Sequence, residues 1–368
     1  MRSSTGAYYI GLDHLRALAA LLVFEWHFIH AGAVPFEYVP GFFPAAIIDE
    51  GHCGVALFMG LSGYLFAKLL DGKQISYSGF LWNRFVRLAP LLAFVILIAG
   101  LGLHRNDLLE YSKSILQGVV LPTLPNGGWS ITAEAHFYLV LPLILLLLRR
   151  HVVYVALIVI AAILLRTAMY LYRGEIQTFA YWTIVGRADQ FVLGIIAFSL
   201  RHHMERRHIM MATLFIFFAA FYWYFDALGG FYNSPSYPSP YPIWIILPTA
   251  EAIFFAALIA YYDSSFVLPD RGLSALVAKI GTYSYSIYLM HFFYVFWMGE
   301  TFFSVFQTHN FYISVTAGFG CFLVAAALAS VSYHYVELPF LQLRRRYVAA
   351  ETTIPGPVIK SAARLSPS

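Results

Sequence analysis

Long apolar runs separated by short polar stretches set the pattern of this chain. Ten can be drawn, at about 10–31, 53–71, 85–103, 129–148, 152–171, 184–201, 209–227, 243–262, 280–298 and 312–336. Most approach the roughly 20 residues that a helix needs to cross a bilayer. They predict an all-α, polytopic membrane bundle of about ten transmembrane helices. The positive-inside rule orients it with both termini in the cytoplasm. On that reading the inner loops hold Lys68, Lys73, Arg84 and Arg87, then Arg149 and Arg150, then Arg201, Arg206 and Arg207, then Arg271 and Lys279, with Arg344, Arg345 and Arg346 after the last span. The outer loops keep only Arg105, Lys113 and Arg173. Residues 104–128 and 228–242 are rich in Gly and Pro and read as outer surface or re-entrant loops. The expected division is a membrane domain over 1–347 and a disordered cytoplasmic tail over 348–368.

Composition agrees with this division. The 368 residues are 60% hydrophobic and 11% charged, with a mean hydropathy of +0.70; a soluble domain carries about 25% charged residues. Aromatics at 18% suit interfacial belts. The net charge of +4 is scattered over span ends rather than gathered in a patch, which argues against nucleic acid as a partner. Cys53 and Cys321 lie in apolar surroundings and read as buried thiols. No cleavage site follows the first apolar run, so it is expected to be retained as a span in the plasma (inner) membrane.

That first run, LDHLRALAALLVFEWHFIH, carries Asp13, Arg16, Glu25 and His27. Ionisable groups at membrane depth usually face a protein interior or a wet cavity. Arg16 and His27 are eleven residues apart, about three turns, so they share one helix face roughly 16 Å apart. Asp13, one turn earlier, is the plain partner for Arg16; an anion site is the functional alternative. Gly51, Gly54, Gly60 and Gly63 suit close helix packing. In LWNRFVRLAP, Arg84 and Arg87 share a face, serving either topology or a clamp on a phosphorylated ligand. In PNGGWSITAEAHFY, Ser130 is a candidate N-cap and Glu134 lies one turn further in. VGRADQFVLG places Arg187 and Asp189 at similar depth, an ion pair with another span being the plain reading. YSYSIYLMH puts His291 near mid-membrane, and SYHYVELPF ends in Glu337 and Pro339. No His/Cys set has metal spacing, and His202, His203 and His208 read as a solvated loop. No G-x-S-x-G elbow, H-x-x-x-x-D or P-loop occurs.

Arg16-x10-His27, GVALFMGLSGYL, RFVRLAP, WSITAEAHFY, GRADQFVLG, YSIYLMH and YHYVELPF, in this order, resemble acyltransferase family 3, the integral membrane O-acyltransferases. The resemblance covers roughly residues 9–345. It implies an acyl-CoA co-substrate, usually acetyl-CoA, with no tightly bound cofactor or metal, and transfer to a hydroxyl. It implies that Arg16 and His27 are essential and that Arg84, Arg87 and Glu134 are functional. Three positions depart from the family: Ala56 replaces the usual Asp, Asn83 replaces the first member of the basic pair, and Ala135 replaces a second acidic residue. The extra periplasmic domain of some members is not expected.

The joint expectation is a base or nucleophile at His27, with Arg16 and Glu134 catalytic. Arg84, Arg87 and Arg16 hold the donor, and Arg187, His291, Trp129 and Tyr138 face substrate. The expected acceptor is a surface carbohydrate; a small cytoplasmic metabolite such as a macrolide is the alternative. A transporter or flippase using the charged face is the rival of another class.

Overall fold

In a computed structural model, residues 9–31, 40–70, 76–102, 104–232, 236–308 and 310–347 are described. The expected tail at 348–368 and the inner-loop Lys73 lie outside them. The described chain is helical and contains no strand. The helices are α1 (Ile10–Ile29), α2 (Ala46–Asp49), α3 (Gly54–Leu70), α4 (Tyr77–Gly102), α5 (Leu108–Val120), α6 (Trp129–Arg150), α7 (Val152–Arg173) and α8 (Gln177–Trp182). They continue as α9 (Ala188–Met204), α10 (His208–Ala227), α11 (Leu247–Ser265), α12 (Gly272–Thr282), α13 (Ser284–Met290), α14 (Val295–Phe306), α15 (Phe311–Ser332) and α16 (Leu338–Leu341).

Each of the ten predicted runs contains a helix. Among the described residues six helices are long and apolar enough to cross a membrane: Gly51–Leu70, Tyr77–Gly102, Trp129–Leu148, Val152–Arg173, His208–Ala227 and Phe311–Leu341. A seventh is added if Ser284–Phe293 and Val295–Phe306 form one span bent by 59°. The predicted span at 280–298 is thus a broken helix, interrupted by a turn at His291–Phe293. The other three runs are α1, α9 and α11. Their polar content follows from their place: α3 packs on α9, α11 and α1, and α9 packs on α11. Interior helices carry most of the polar residues, and peripheral ones such as α10 are largely apolar.

Glycine sets the closeness of this centre. A Cβ on Gly63 would lie 2.0 Å from the Phe191 carbonyl oxygen, and one on Gly194 would lie 2.2 Å from that of Gly60. Helices α3 and α9 therefore touch backbone to backbone, as small residues permit in membranes. Gly54 does the same against Ala19 on α1.

Two expectations change. The segment at 104–128 is not all loop, because LLEYSKSILQGVV forms α5, whose Leu109 and Leu116 are exposed. Ser130 is not an N-cap. The helix already starts at Trp129, so the Ser130 hydroxyl donates to the Gly127 carbonyl in the first turn instead. A Ser inside a first turn has a backbone acceptor in reach and uses it.

Candidate active site

A cavity of about 800 Å³, counted to its open mouth, runs between α1, α3, α4, α6 and α13. Arg16, Arg84 and Arg87 line its basic end. Ser62, Glu134 and Tyr138 line its wall, and Phe58, Ser130 and Tyr288 line the other end. Three arginines predicted from sequence are thereby brought together from two helices. Arg16 is also ion-paired with Asp13, 2.5 Å away, so it has its plain partner and still faces the cavity. Arg84 lies over the Phe66 and Phe80 rings at 5.2 and 5.7 Å.

Glu134 accepts from Ser62 Oγ at 2.9 Å and from the Tyr138 hydroxyl one turn along α6. The Arg84 guanidinium lies close to the same hydroxyl. Sequence placed Glu134 near the outer end of its span; its partners place it on the cavity wall, linked to the basic end through Tyr138. Tyr138 in turn is wedged among Phe66 and Phe80.

His27 lies beyond the cavity's far end and is not among its lining residues. Its Nδ1 is 2.8 Å from the Val23 carbonyl oxygen and 3.3 Å from His291 Nε2. His291, 1% exposed, has its own Nδ1 2.6 Å from the Tyr288 carbonyl oxygen. A carbonyl only accepts, so it assigns a proton to each Nδ1. In neutral rings His291 Nε2 is then an acceptor, and the His27 Nδ1–H is shared between it and Val23. His27 is left with a bare Nε2, flanked by the Phe292 and Phe296 rings at 4.7 and 5.7 Å. An imidazole oriented by one nitrogen and basic at the other is the arrangement of a general base. The break between α13 and α14 makes the pair possible, since it turns His291 toward α1.

Arg187 and Trp129 stand elsewhere. Arg187 is 1% exposed and donates to the Tyr181 carbonyl and to Gln190 Oε1. Its guanidinium lies 4.1 Å over Tyr181 and 5.6 Å over Trp129. It organises a buried corner and does not line the cavity. Asp189 pairs not with Arg187 but with the fully buried Arg166 of α7, at 2.7 Å, and Thr249 donates to the same carboxylate. Arg166 also reaches the Ile245 and Gly186 carbonyls, tying α7 to α9 and α11. Sequence reading missed it; an arginine seven residues before the end of a strongly apolar helix was the signal. Glu25, also flagged by its depth, turns away from the cavity toward Gly318 of α15.

A second polar cluster was missed at the end of α1 away from the basic mouth. His52 Nε2 is 3.2 Å from Glu50 Oε2, and its Nδ1 is 3.8 Å from Glu251 Oε1. The Phe231 amide donates to Glu50, and His30 lies 3.9 Å from Asp49. Burial pushes the Glu50 carboxyl up to about 7. Among the described residues no group of three or more His, Cys, Asp and Glu is arranged to hold a metal ion.

Comparison with known proteins places the chain among acyltransferases. The chain is 25% identical to acyltransferase MdmB of Streptomyces mycarofaciens, over 96% of this chain and 97% of that protein. It is 24% identical to the putative peptidoglycan O-acetyltransferase YrhL of Bacillus subtilis (strain 168), over 90% of this chain and 55% of YrhL, so it spans about half of that relative. No solved structure matches it. The family described as the acyltransferase domain matches residues 9–334, which takes in every motif named above except most of YHYVELPF at 333–340. The chain belongs to this acyltransferase family and is a membrane protein of it.

Proposed function

We propose that the protein is a membrane O-acyltransferase of the plasma membrane, moving an acyl group, acetyl in the simplest case, from acyl-CoA to a hydroxyl of a cell-surface carbohydrate. The observation that carries this reading is a basic cavity ending next to a tautomer-fixed histidine. Anionic donor phosphates suit the Arg84 and Arg87 end, with Arg16 beside them. The long arm of the donor bridges the roughly 16 Å of α1 between Arg16 and His27.

The acceptor hydroxyl gives its proton to His27 Nε2 while its oxygen attacks the thioester carbonyl. The carbon–sulfur bond breaks, and the departing thiolate takes the proton back from His27. The new ester and free CoA account for all atoms, and no metal is needed. Glu134 holds Tyr138 and Ser62, and through Tyr138 the Arg84 guanidinium, in a fixed wall. Ten spans with both termini cytoplasmic would put the basic end where acyl-CoA is made, and would make α1, α9 and α11 the interior spans.

The name of the YrhL relative supports a cell-wall glycan as acceptor. The test is mass spectrometry of surface glycans and extractable metabolites from cells with the protein, without it, and with His27→Ala. A glycan acetyl group lost in the last two supports the reading. An acyl group lost from a small metabolite would move the acceptor to that class. Full acylation in cells carrying a well-expressed His27→Ala protein would overturn the assignment of the base.

A further inference from the structure

Beyond α16 the chain does not leave the bundle at once. Residues 343–347 lie as a strap across the first turns of α4. Trp82 Nε1 donates to the Leu343 carbonyl at 2.9 Å. Asn83 holds Arg345 from both sides, its amide donating to the Arg345 carbonyl at 2.7 Å and its oxygen accepting from the Arg345 amide at 2.8 Å. The Ser76 amide donates to the Tyr347 carbonyl at 2.8 Å, and the Tyr347 ring packs 5.8 Å from Phe80. Asn83, 1% exposed, thus does for the strap what a neighbouring strand would do.

This register sorts three successive arginines. Arg345 stacks over Trp82 at 5.0 Å and Arg346 is exposed, while Arg344 alone is drawn in, half-buried. Arg344 lies within electrostatic reach of both Arg84 and Arg87; burial first, then these two cations, lower it to about 9. Its facing groups are these two guanidiniums, Tyr333 and Tyr347, with Glu337 a further neighbour whose carboxylate accepts from Ser286. Glu337 is within electrostatic reach of Arg87 and Arg344, so one carboxyl group faces three guanidiniums and the group stays net positive, an excess that a further anion would neutralise. The buried Nε of Arg84 has no acceptor among the described residues. Asn83 fastens the strap, and the strap brings the Arg344 cation beside α4.

We propose that Arg344, delivered by this strap, stands behind the basic end of the cavity as a cation additional to Arg16, Arg84 and Arg87, and that, with Arg84 and Arg87, it takes the phosphate groups of a nucleotide-bearing acyl donor. The proposal rests on the donor reading above and adds to it a residue and a ligand part. An anionic lipid headgroup offers the same chemistry from another source, so the experiment separates the two.

The protein is reconstituted in nanodiscs of phosphatidylcholine, with or without phosphatidylglycerol. Binding of adenosine 3′,5′-bisphosphate, acetyl-CoA and acetyl-3′-dephospho-CoA is then measured by calorimetry. Arg344→Gln is expected to weaken adenosine 3′,5′-bisphosphate and acetyl-CoA about ten-fold or more. Arg344→Lys recovers part of this, and Arg346→Gln, which removes the same charge from the exposed side of the strap, changes binding less than about two-fold. Equal loss in Arg344→Gln and Arg346→Gln, or no loss in either, overturns the proposal while acetyl-CoA binding to the wild type keeps the donor reading. Loss that appears only with phosphatidylglycerol present overturns it in favour of the lipid. Absence of any acetyl-CoA binding to the wild type overturns both. Melting temperatures of the variants check that the strap stays folded, and a wild-type value in Arg344→Gln with weakened binding supports the proposal.

Discussion

His27 reaches its role through a neighbour that the sequence places 264 residues away. His291 accepts the Nδ1–H of His27 and is itself pinned by the Tyr288 carbonyl. Removing that acceptor frees His27 to change tautomer or turn, without touching the arginines proposed to hold the donor. His291→Ala is expected to lower kcat about 10²-fold or more with KM for the donor little changed. His291→Gln, whose side-chain oxygen can still accept the N–H, should recover part of the loss. A rise in KM at constant kcat would show instead that His291 binds substrate, as the sequence alone suggested. Glu50 gives a second test at this scale. Its carboxyl is held at about 7 by burial, above the ordinary value of about 4.3. The folded state therefore keeps the proton longer than the unfolded chain. The stability this gives is complete below about 4.5 and is lost as pH rises through about 7. Melting temperature should fall from pH 5 to pH 8, and Glu50→Gln should flatten that fall. An unchanged slope in the variant would assign the effect to other groups.

At the scale of elements, the α3–α9 contact is the one that admits least change. Gly63 and Gly194 meet carbonyl oxygens at distances no Cβ tolerates, and the obstacle is backbone rather than a flexible side chain. Gly63→Ala or Gly194→Ala should lower the yield of folded protein and its melting temperature. Gly320→Ala in α15, where a Cβ meets nothing within 4 Å, should leave both unchanged or raised, since Ala is the better helix residue. Equal behaviour of the two sets would mean that the helices separate more easily than the packing implies. The same contact explains what was legible in the sequence. Glycines at 51, 54, 60 and 63 announced close packing without naming the partner, because composition records spacing on one helix and not what lies opposite. Apolar runs located every long helix of the periphery among the described residues, where lipid imposes one rule on all residues. The break at His291 and the helix at 108–120 were not legible. A broken span keeps the apolar composition of a continuous one, and a short amphipathic helix between turn residues resembles a loop.

On the proposed mechanism, the whole molecule separates two parts of one reaction. Charges on α1 and α4 announced the basic end in the sequence, and Arg16, Arg84 and Arg87 do meet there. That the cavity stops short of His27 could not be read from spacing, since it depends on two rings from distant segments. Phe58 and Tyr288 close the far end, their ring centroids 5.9 Å apart, and the Tyr288 hydroxyl is anchored on the Gly127 carbonyl at 3.2 Å. A donor seated in the cavity therefore meets this wall before it meets the base, and the thioester has to pass it. A wall in that place keeps water and the acceptor side from the donor until both are aligned. Tyr288→Ala removes the wall and leaves the arginines untouched. It is expected to raise hydrolysis of acetyl-CoA in the absence of acceptor several-fold and to lower transfer to the acceptor, with donor affinity close to that of the wild type. Tyr288→Phe, which keeps the ring and loses only the bond to Gly127, should leak less. The measurement is free CoA release with and without acceptor in the same preparation. Hydrolysis unchanged in Tyr288→Ala, with transfer intact, would mean that the donor reaches His27 by a route other than this cavity.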